Sequence, residues 1–304
     1  MSKLSYTSPE QEGVSTGEEQ LVQEAKLFAE NRSAARMNRR RLLTNLGLAA
    51  GAAGVLGVAG CSDDGTAPIP SPTTTPSVVD VLNFALNLEY FEASLYSYIV
   101  TGSGLSSADM GSSPGTVTGG AKVTFQYSAI ANIAANLMAE EVQHVEFLRS
   151  AITSAGGTPI SMPSLNLVPA TAYAITNDQT FVSVARTIEA VGVSAYEGAA
   201  QYLTSAPSVL TFAASIHDLE AQHEGALRQA CIYFPGGSVT SAPADSMDIP
   251  PTTAAIFNTN PSTGLNTVRT VSQVLQIVYA TPGVTGTTKG GFFPNGLNGN
   301  LYMS

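Results

Sequence analysis

Charge is scarce in this 304-residue chain: 12% of its residues are Asp, Glu, Lys or Arg, against 44% hydrophobic. An acidic side chain on an apolar helix face therefore needs a physical reason. Seven of the 13 basic residues (Lys3, Lys26, Arg32, Arg36, Arg39, Arg40, Arg41) and six of the 23 acidic ones fall in the first 60 positions, which leaves 6 basic and 17 acidic residues beyond them. A body so acidic, with no basic stripe, repels phosphate backbones and excludes nucleic acid as a partner. Cysteine is nearly absent. Cys61 and Cys231 form no Cys-x-x-Cys pair, which excludes a disulfide framework, and Cys231 reads as a small buried hydrophobe. Tryptophan is missing and histidine occurs only three times. Strand-like alternation is missing as well, and the 17 prolines and 28 glycines cluster outside the helical stretches.

The N-terminus reads as an address. Asn38–Asp64 has a basic start, an apolar run and a small-residue end. The paired Arg39 and Arg40 before Leu42 and Leu43 resemble a twin-arginine export signal, and Val58-Ala59-Gly60-Cys61 resembles a lipobox, in which Cys61 is acylated. Residues 37–60 are then the signal, and Met37 in front of it leaves 1–36 a leader or a misassigned start. The expectation is an exported periplasmic or cell-envelope lipoprotein that meets the membrane only through signal or lipid. An uncleaved anchor helix is the competing reading, but Leu42–Gly60 is rich in Gly and Ala, a weak spanning sequence. Residues 61–77, including Pro68–Pro76, form an extended Pro/Thr/Ser linker.

Four helices follow in a predicted bundle over 78–234: about Val78–Val100, opened by Ser77-Val-Val-Asp80 as a capping box; Ala121–Ala155; Asp178–Leu203; and Ser208–Tyr233. Each carries a polar residue on its oily stripe: Glu89 on the first, Glu141 and His144 on the second, Glu189 on the third, Glu220 and His223 on the fourth. The second and fourth share the template E-x-Q-H-x-x-x-L-R-x-A (EVQHVEFLRSA and EAQHEGALRQA). The first and third align as LEYFEASLY and IEAVGVSAY. Two helical hairpins on one plan make an all-α four-helix bundle the economical fold. Residues 235–304 are an irregular Gly/Pro-rich extension with one helical stretch near Asn266–Tyr279 and with Phe292 and Phe293 as anchors.

Residues three apart on a helix are neighbours, so each Glu-x-x-His aims a carboxylate and an imidazole at one interior spot. Four carboxylates converging there repel one another, and each costs several kcal/mol to bury. They must either take protons or be joined by cations. Two divalent ions match four carboxylates in charge, and oxygen ligands with a few imidazoles suit iron or manganese.

The set Glu89, Glu141-x-x-His144, Glu189, Glu220-x-x-His223 resembles the ferritin-like di-metal carboxylate proteins. LNFALNLEYFEASLY and GGFFPNGLNGNL are similar to a subgroup of exported ferritin-like domain and desiccation-related proteins. The resemblance implies that Glu89 and Glu189 are terminal ligands, that Glu141 and Glu220 bridge two iron or manganese ions, and that His144 and His223 bind one each. It also makes Tyr96 and Tyr196 candidates to hydrogen-bond a ligand carboxylate. It implies oxygen or peroxide chemistry of ferroxidase, oxidase or manganese-catalase type, with a small oxidant as partner and a role in oxidative stress. The alternative is a non-catalytic metal-binding or desiccation-protective lipoprotein. Homo-oligomerisation stays open, although a linker and lipid tether do not suit a closed storage shell. Glu92, one turn from Glu89, is either a substitute ligand or a residue behind the ligands, the matching position being Gly192. Glu140, Glu146, Glu197 and Glu224 are expected to face water. His217 is expected at the surface or hydrogen-bonded in the core, and Arg149 and Arg228 are expected to cover buried carboxylates or to snorkel.

Overall fold

Ser77 and Asp80 bond each other's backbone N–H, a complete capping box that starts α1 (Val78–Thr101) in the computed structural model, which describes residues 75–304. The leader, Arg39 and Arg40, Cys61 and the linker up to residue 74 lie outside the described residues. Gly102 ends α1 in the left-handed conformation (φ 78°) and returns its N–H to the Tyr98 carbonyl.

Next come β1 (Val117–Thr118), α2 (Ser128–Ser154), β2 (Leu165–Asn166), α3 (Asp178–Ala199), α4 (Pro207–Ile232) and the short α5 (Val271–Val278). Helix α2 starts seven residues later than periodicity predicts. The Asp178 carboxylate takes the N–H groups of Gln126 and Tyr127, which holds that stretch extended and sets α2 and α3 starting at the same end. The last residues assigned to the third predicted helix tighten into a 3₁₀ turn, Ala200–Leu203, and α5 is shorter than its predicted stretch. α1 packs antiparallel on α2 and α3 on α4, and the long 155–177 connection returns the chain between the hairpins. A two-residue parallel pairing, Val117 with Leu165 and Thr118 with Asn166, ties the two long connections together.

Sequence gives α1 one apolar stripe, but the helix is buried on every side from Val81 to Ser97. The cover comes from the crossover and the extension. Tyr90 donates to the carbonyls of Asp109 and Ile160, Phe91 packs on Phe292 at 4.6 Å, and Asn87 exchanges two hydrogen bonds with the backbone of Asn298. Phe292 and Phe293 are anchors as expected, 3% and 0% exposed.

Three buried arginines hold the middle of the extension. Arg186 meets both oxygens of Asp248 at 2.7 Å, Arg269 pairs with Asp245, and Arg228 donates to the carbonyls of Ile249, Ala255 and Ile256. The extension crosses α3 at Gly198, where an added Cβ would lie 1.9 Å from the Arg269 carbonyl oxygen. Among the described residues no helix is long and apolar enough to cross a membrane.

Candidate metal centre

Glu89, Glu141, Glu189 and Glu220 project from α1, α2, α3 and α4 into the bundle and are all 0% exposed; His144 and His223 are 6% exposed. The imidazoles stack with ring centroids 6.2 Å apart. His144 Nδ1 faces three carboxylates: Glu89 at 3.2 Å, Glu141 at 2.8 Å and Glu220 at 3.4 Å. His223 Nδ1 faces Glu141 at 3.0 Å and Glu189 at 3.2 Å. One ring proton satisfies one acceptor, so these clusters hold more acceptors than donors.

The donor set fits metal ions. Ligands about 2.1 Å from an octahedral ion stand about 3 Å from each other, the spacing seen around each Nδ1. Glu141 Oε1 and both Glu220 oxygens are buried without a hydrogen-bond partner. Ligand atoms fall into two four-residue groups, Glu89–Glu141–His144–Glu220 and Glu141–Glu189–Glu220–His223, each within 4.8 Å of one another. Glu141 and Glu220 belong to both, and Glu89 and Glu189 to one each.

Without metal, protons must do the neutralising. Burial, reinforced by Glu141, raises Glu89 to about 7 against the pull of His144. Burial, with Glu141 and Glu189 beside it, holds Glu220 well above the carboxylate range, and Glu189 is raised chiefly by burial. Glu141 goes the other way: burial pushes it up, but His144 and His223 outweigh that and hold it low. Burial disfavours the imidazolium at both histidines, yet the surrounding carboxylates raise them above the usual imidazole range.

Tyr96 donates to Glu189 Oε1 at 2.5 Å and Tyr196 to Glu89 Oε1, so each tyrosine serves the glutamate of the other hairpin. Glu92 is buried in the same pocket, 4% exposed, which makes five carboxylates where charge matching counted four. Burial and the neighbouring Glu220, Glu189, Glu89 and Glu141 raise it well above the usual carboxylate range. Gly192 makes the room: a Cβ there would stand 2.5 Å from Glu220 Oε2 and 3.2 Å from Glu92 Oε1.

Several flanking residues depart from expectation. Glu140 does not simply face water: its carboxylate meets His223 Nε2 at 2.7 Å. Glu224 is buried against Arg228, and Glu197 is half-buried and accepts from Asn266. Arg149 donates to the Tyr90 hydroxyl and the Ile160 carbonyl, while Arg228 serves Glu224 and the extension, so neither covers a carboxylate of the centre. His217 is half-buried, with Nε2 enclosed and unpartnered. Cys231 is fully buried, and burial pushes its thiol up to about 11. Gly192 and Glu140 were missed from sequence. The available signals were a helix-interior glycine at the position that matches Glu92 in the repeat, and a second acid directly before Glu141 where the repeat has Leu219 before Glu220.

No curated protein matches the chain at a significant level. The sequence profile of the ferritin-like domain matches residues 77–232, just over half of the chain and all four bundle helices. Bundle, internal repeat and profile agree, and the chain belongs to the ferritin-like domain family.

Proposed function

We propose that the bundle holds two iron or manganese ions, one between Glu89 and His144 and one between Glu189 and His223, with Glu141 and Glu220 shared. The observation that carries this reading is the pair of four-residue groups joined through Glu141 and Glu220, with three of those two residues' four oxygens buried without a well-formed hydrogen bond. Such a metal pair, when bound, supplies one-electron steps between the +2 and +3 states for oxygen or peroxide chemistry. The protein's part is to orient and to exclude water. Tyr96 and Tyr196 fix the outer carboxylates, the apolar walls keep the site dry, and Glu92, its carboxyl raised by burial, stands beside Glu220. The role that follows is protection against small oxidants in the cell envelope.

A second reading, metal binding without turnover, is favoured by the closure of the site: no carboxylate of the ligand set is exposed at all. Metal analysis of the purified protein, with peroxide-decomposition and oxygen-consumption assays, separates the two. About two ions per chain with turnover supports the first reading, and two ions without turnover supports the second. Absence of metal after reconstitution with Fe²⁺ or Mn²⁺ defeats both. Glu141→Ala with Glu220→Ala abolishes binding under either.

The twin-arginine-type signal adds a further element: the protein is exported folded, with metal loaded in the cytoplasm, away from copper and zinc that bind more tightly by raw affinity. Rerouting through an unfolded-export path then yields the wrong metal or none. The same metal content by both routes contradicts this.

A further inference from the structure

The two halves of the centre differ in what stands behind the histidines. His223 Nε2 is held by Glu140 at 2.7 Å, and none of the described carboxylates pairs with His144 Nε2. We propose that Glu140 is a positioning residue that makes the two metal positions unequal, so that the position served by His223 binds first and more tightly. The inference rests on the two-ion reading above.

The argument is one of tautomer and donor strength. A neutral imidazole carries one proton. With Glu140 accepting that proton at Nε2, the Nδ1 lone pair is left facing Glu141 Oε1 and Glu189 Oε2, at 3.0 and 3.2 Å. A carboxylate on the far ring nitrogen also fixes the ring plane and makes the near nitrogen a stronger donor, an effect worth roughly 10- to 100-fold in metal affinity. Among the described residues no carboxylate does the same behind His144. The internal repeat shows why: Glu140 precedes Glu141, but Leu219 precedes Glu220. The Glu140 side chain is 34% exposed, so it can be changed without hollowing the core.

The test is Mn²⁺ titration of the chelator-stripped full-length protein, followed by calorimetry and by electron paramagnetic resonance. Wild type is expected to bind in two resolved steps, with the one-equivalent sample showing an isolated Mn²⁺ spectrum rather than a coupled pair. Glu140→Ala weakens the tighter step by about 10- to 100-fold and leaves the weaker step in place. Glu140→Gln, which keeps an acceptor but loses the charge, falls between. Leu219→Glu, which supplies the missing carboxylate behind His144, strengthens the weaker step. Unfolding of the metal-free forms serves as the control on the fold; if Glu140→Ala does not fold, Glu140→Gln and Leu219→Glu decide. Unchanged titration in the Glu140 variants, or an equal loss at both steps, overturns the proposal. Two ions binding wild type in one equal step sinks it while sparing the two-ion reading, whereas no Mn²⁺ binding removes that reading as well.

Discussion

Tyr96 and Glu189 lie 93 positions apart on different hairpins, yet the Tyr96 hydroxyl donates to Glu189 Oε1 at 2.5 Å. Tyr196 makes the reciprocal bond to Glu89. Seven residues of helix rise about 10 Å, so neither tyrosine is placed to serve the glutamate two turns before it. Side chains tilt toward the helix N-terminus, which carries each ring back to the level of the centre and across to the opposite hairpin. The crossed pair therefore locks the hairpins together at the buried carboxylate cluster.

Removing a hydroxyl tests that lock. Tyr96→Phe keeps the ring and its edge contact with Phe181 at 6.3 Å but leaves a buried carboxylate oxygen without its donor. The expected loss is about 1–3 kcal/mol in denaturant unfolding of the metal-free protein, with weaker metal binding at the Glu189 side. Tyr196→Phe should do the same at Glu89. Wild-type stability and affinity in both variants would show the tyrosines to be packing groups only.

Metal-free protein should become less stable as pH rises from 5 to 8. Burial raises Glu89 from 4.5 to about 7, so the folded state keeps a proton that the unfolded chain has released, and stability falls as pH climbs through that window. The size is on the order of 3 kcal/mol for this group alone. Glu92 and Glu220, also raised, act with the same sign. The histidines extend the fall upward, because they stay protonated above 6.5 in the folded state. Glu141 is lowered and acts in the opposite sense, but only below 4.5. Melting temperatures across this range check the sign, and saturating Mn²⁺ should flatten the profile; a rise with pH in the metal-free protein would contradict it.

The six clustered positions were legible because periodicity and repeat act together: Glu89 and Glu189 interrupt apolar stripes at the same place in matching helices, as do the two Glu-x-x-His pairs. Glu92 was ambiguous, because one turn of helix allows either a buried or a solvated face. The packing of α3 against α1 decides it: Gly192 leaves the room that Glu92 fills beside Glu220, and no local pattern encodes that meeting. Glu140 was misread for a related reason. Its partner His223 lies 83 positions away on a neighbouring helix, and the rotation of α2 against α4 that joins them is a tertiary property. Periodicity starts α2 early because residues 121–127 lack a strong breaker, and the Asp178 bonds that hold Gln126 and Tyr127 extended come from 52 and 51 positions downstream.

Gly192→Ala should separate fold from site. In a helix interior, alanine is favoured over glycine by about 1 kcal/mol, so the metal-free helix gains or holds its stability. The new Cβ, however, stands 2.5 Å from Glu220 Oε2, and that carboxylate must swing aside. Metal affinity should fall while the melting temperature of the metal-free protein does not. A variant that loses stability and keeps affinity would mean that Gly192 is required for helix packing instead.

Asp248→Ala should release the extension from the bundle. Arg186 and Asp248 are both fully enclosed, so removing the carboxylate strands a buried guanidinium, with an expected cost of about 3–5 kcal/mol. Ser241 Oγ and the Ala242 carbonyl still accept from that guanidinium and soften the loss. Arg186→Met combined with Asp248→Leu removes both charges and should recover most of the stability, since an apolar pair of similar volume avoids desolvation altogether. Chemical denaturation of Arg186→Met, of Asp248→Leu and of the double closes the cycle. A double as unstable as the sum of the singles would show that the pair is not coupled, and that the extension is held by Phe292, Phe293 and the carbonyls on Arg228 instead.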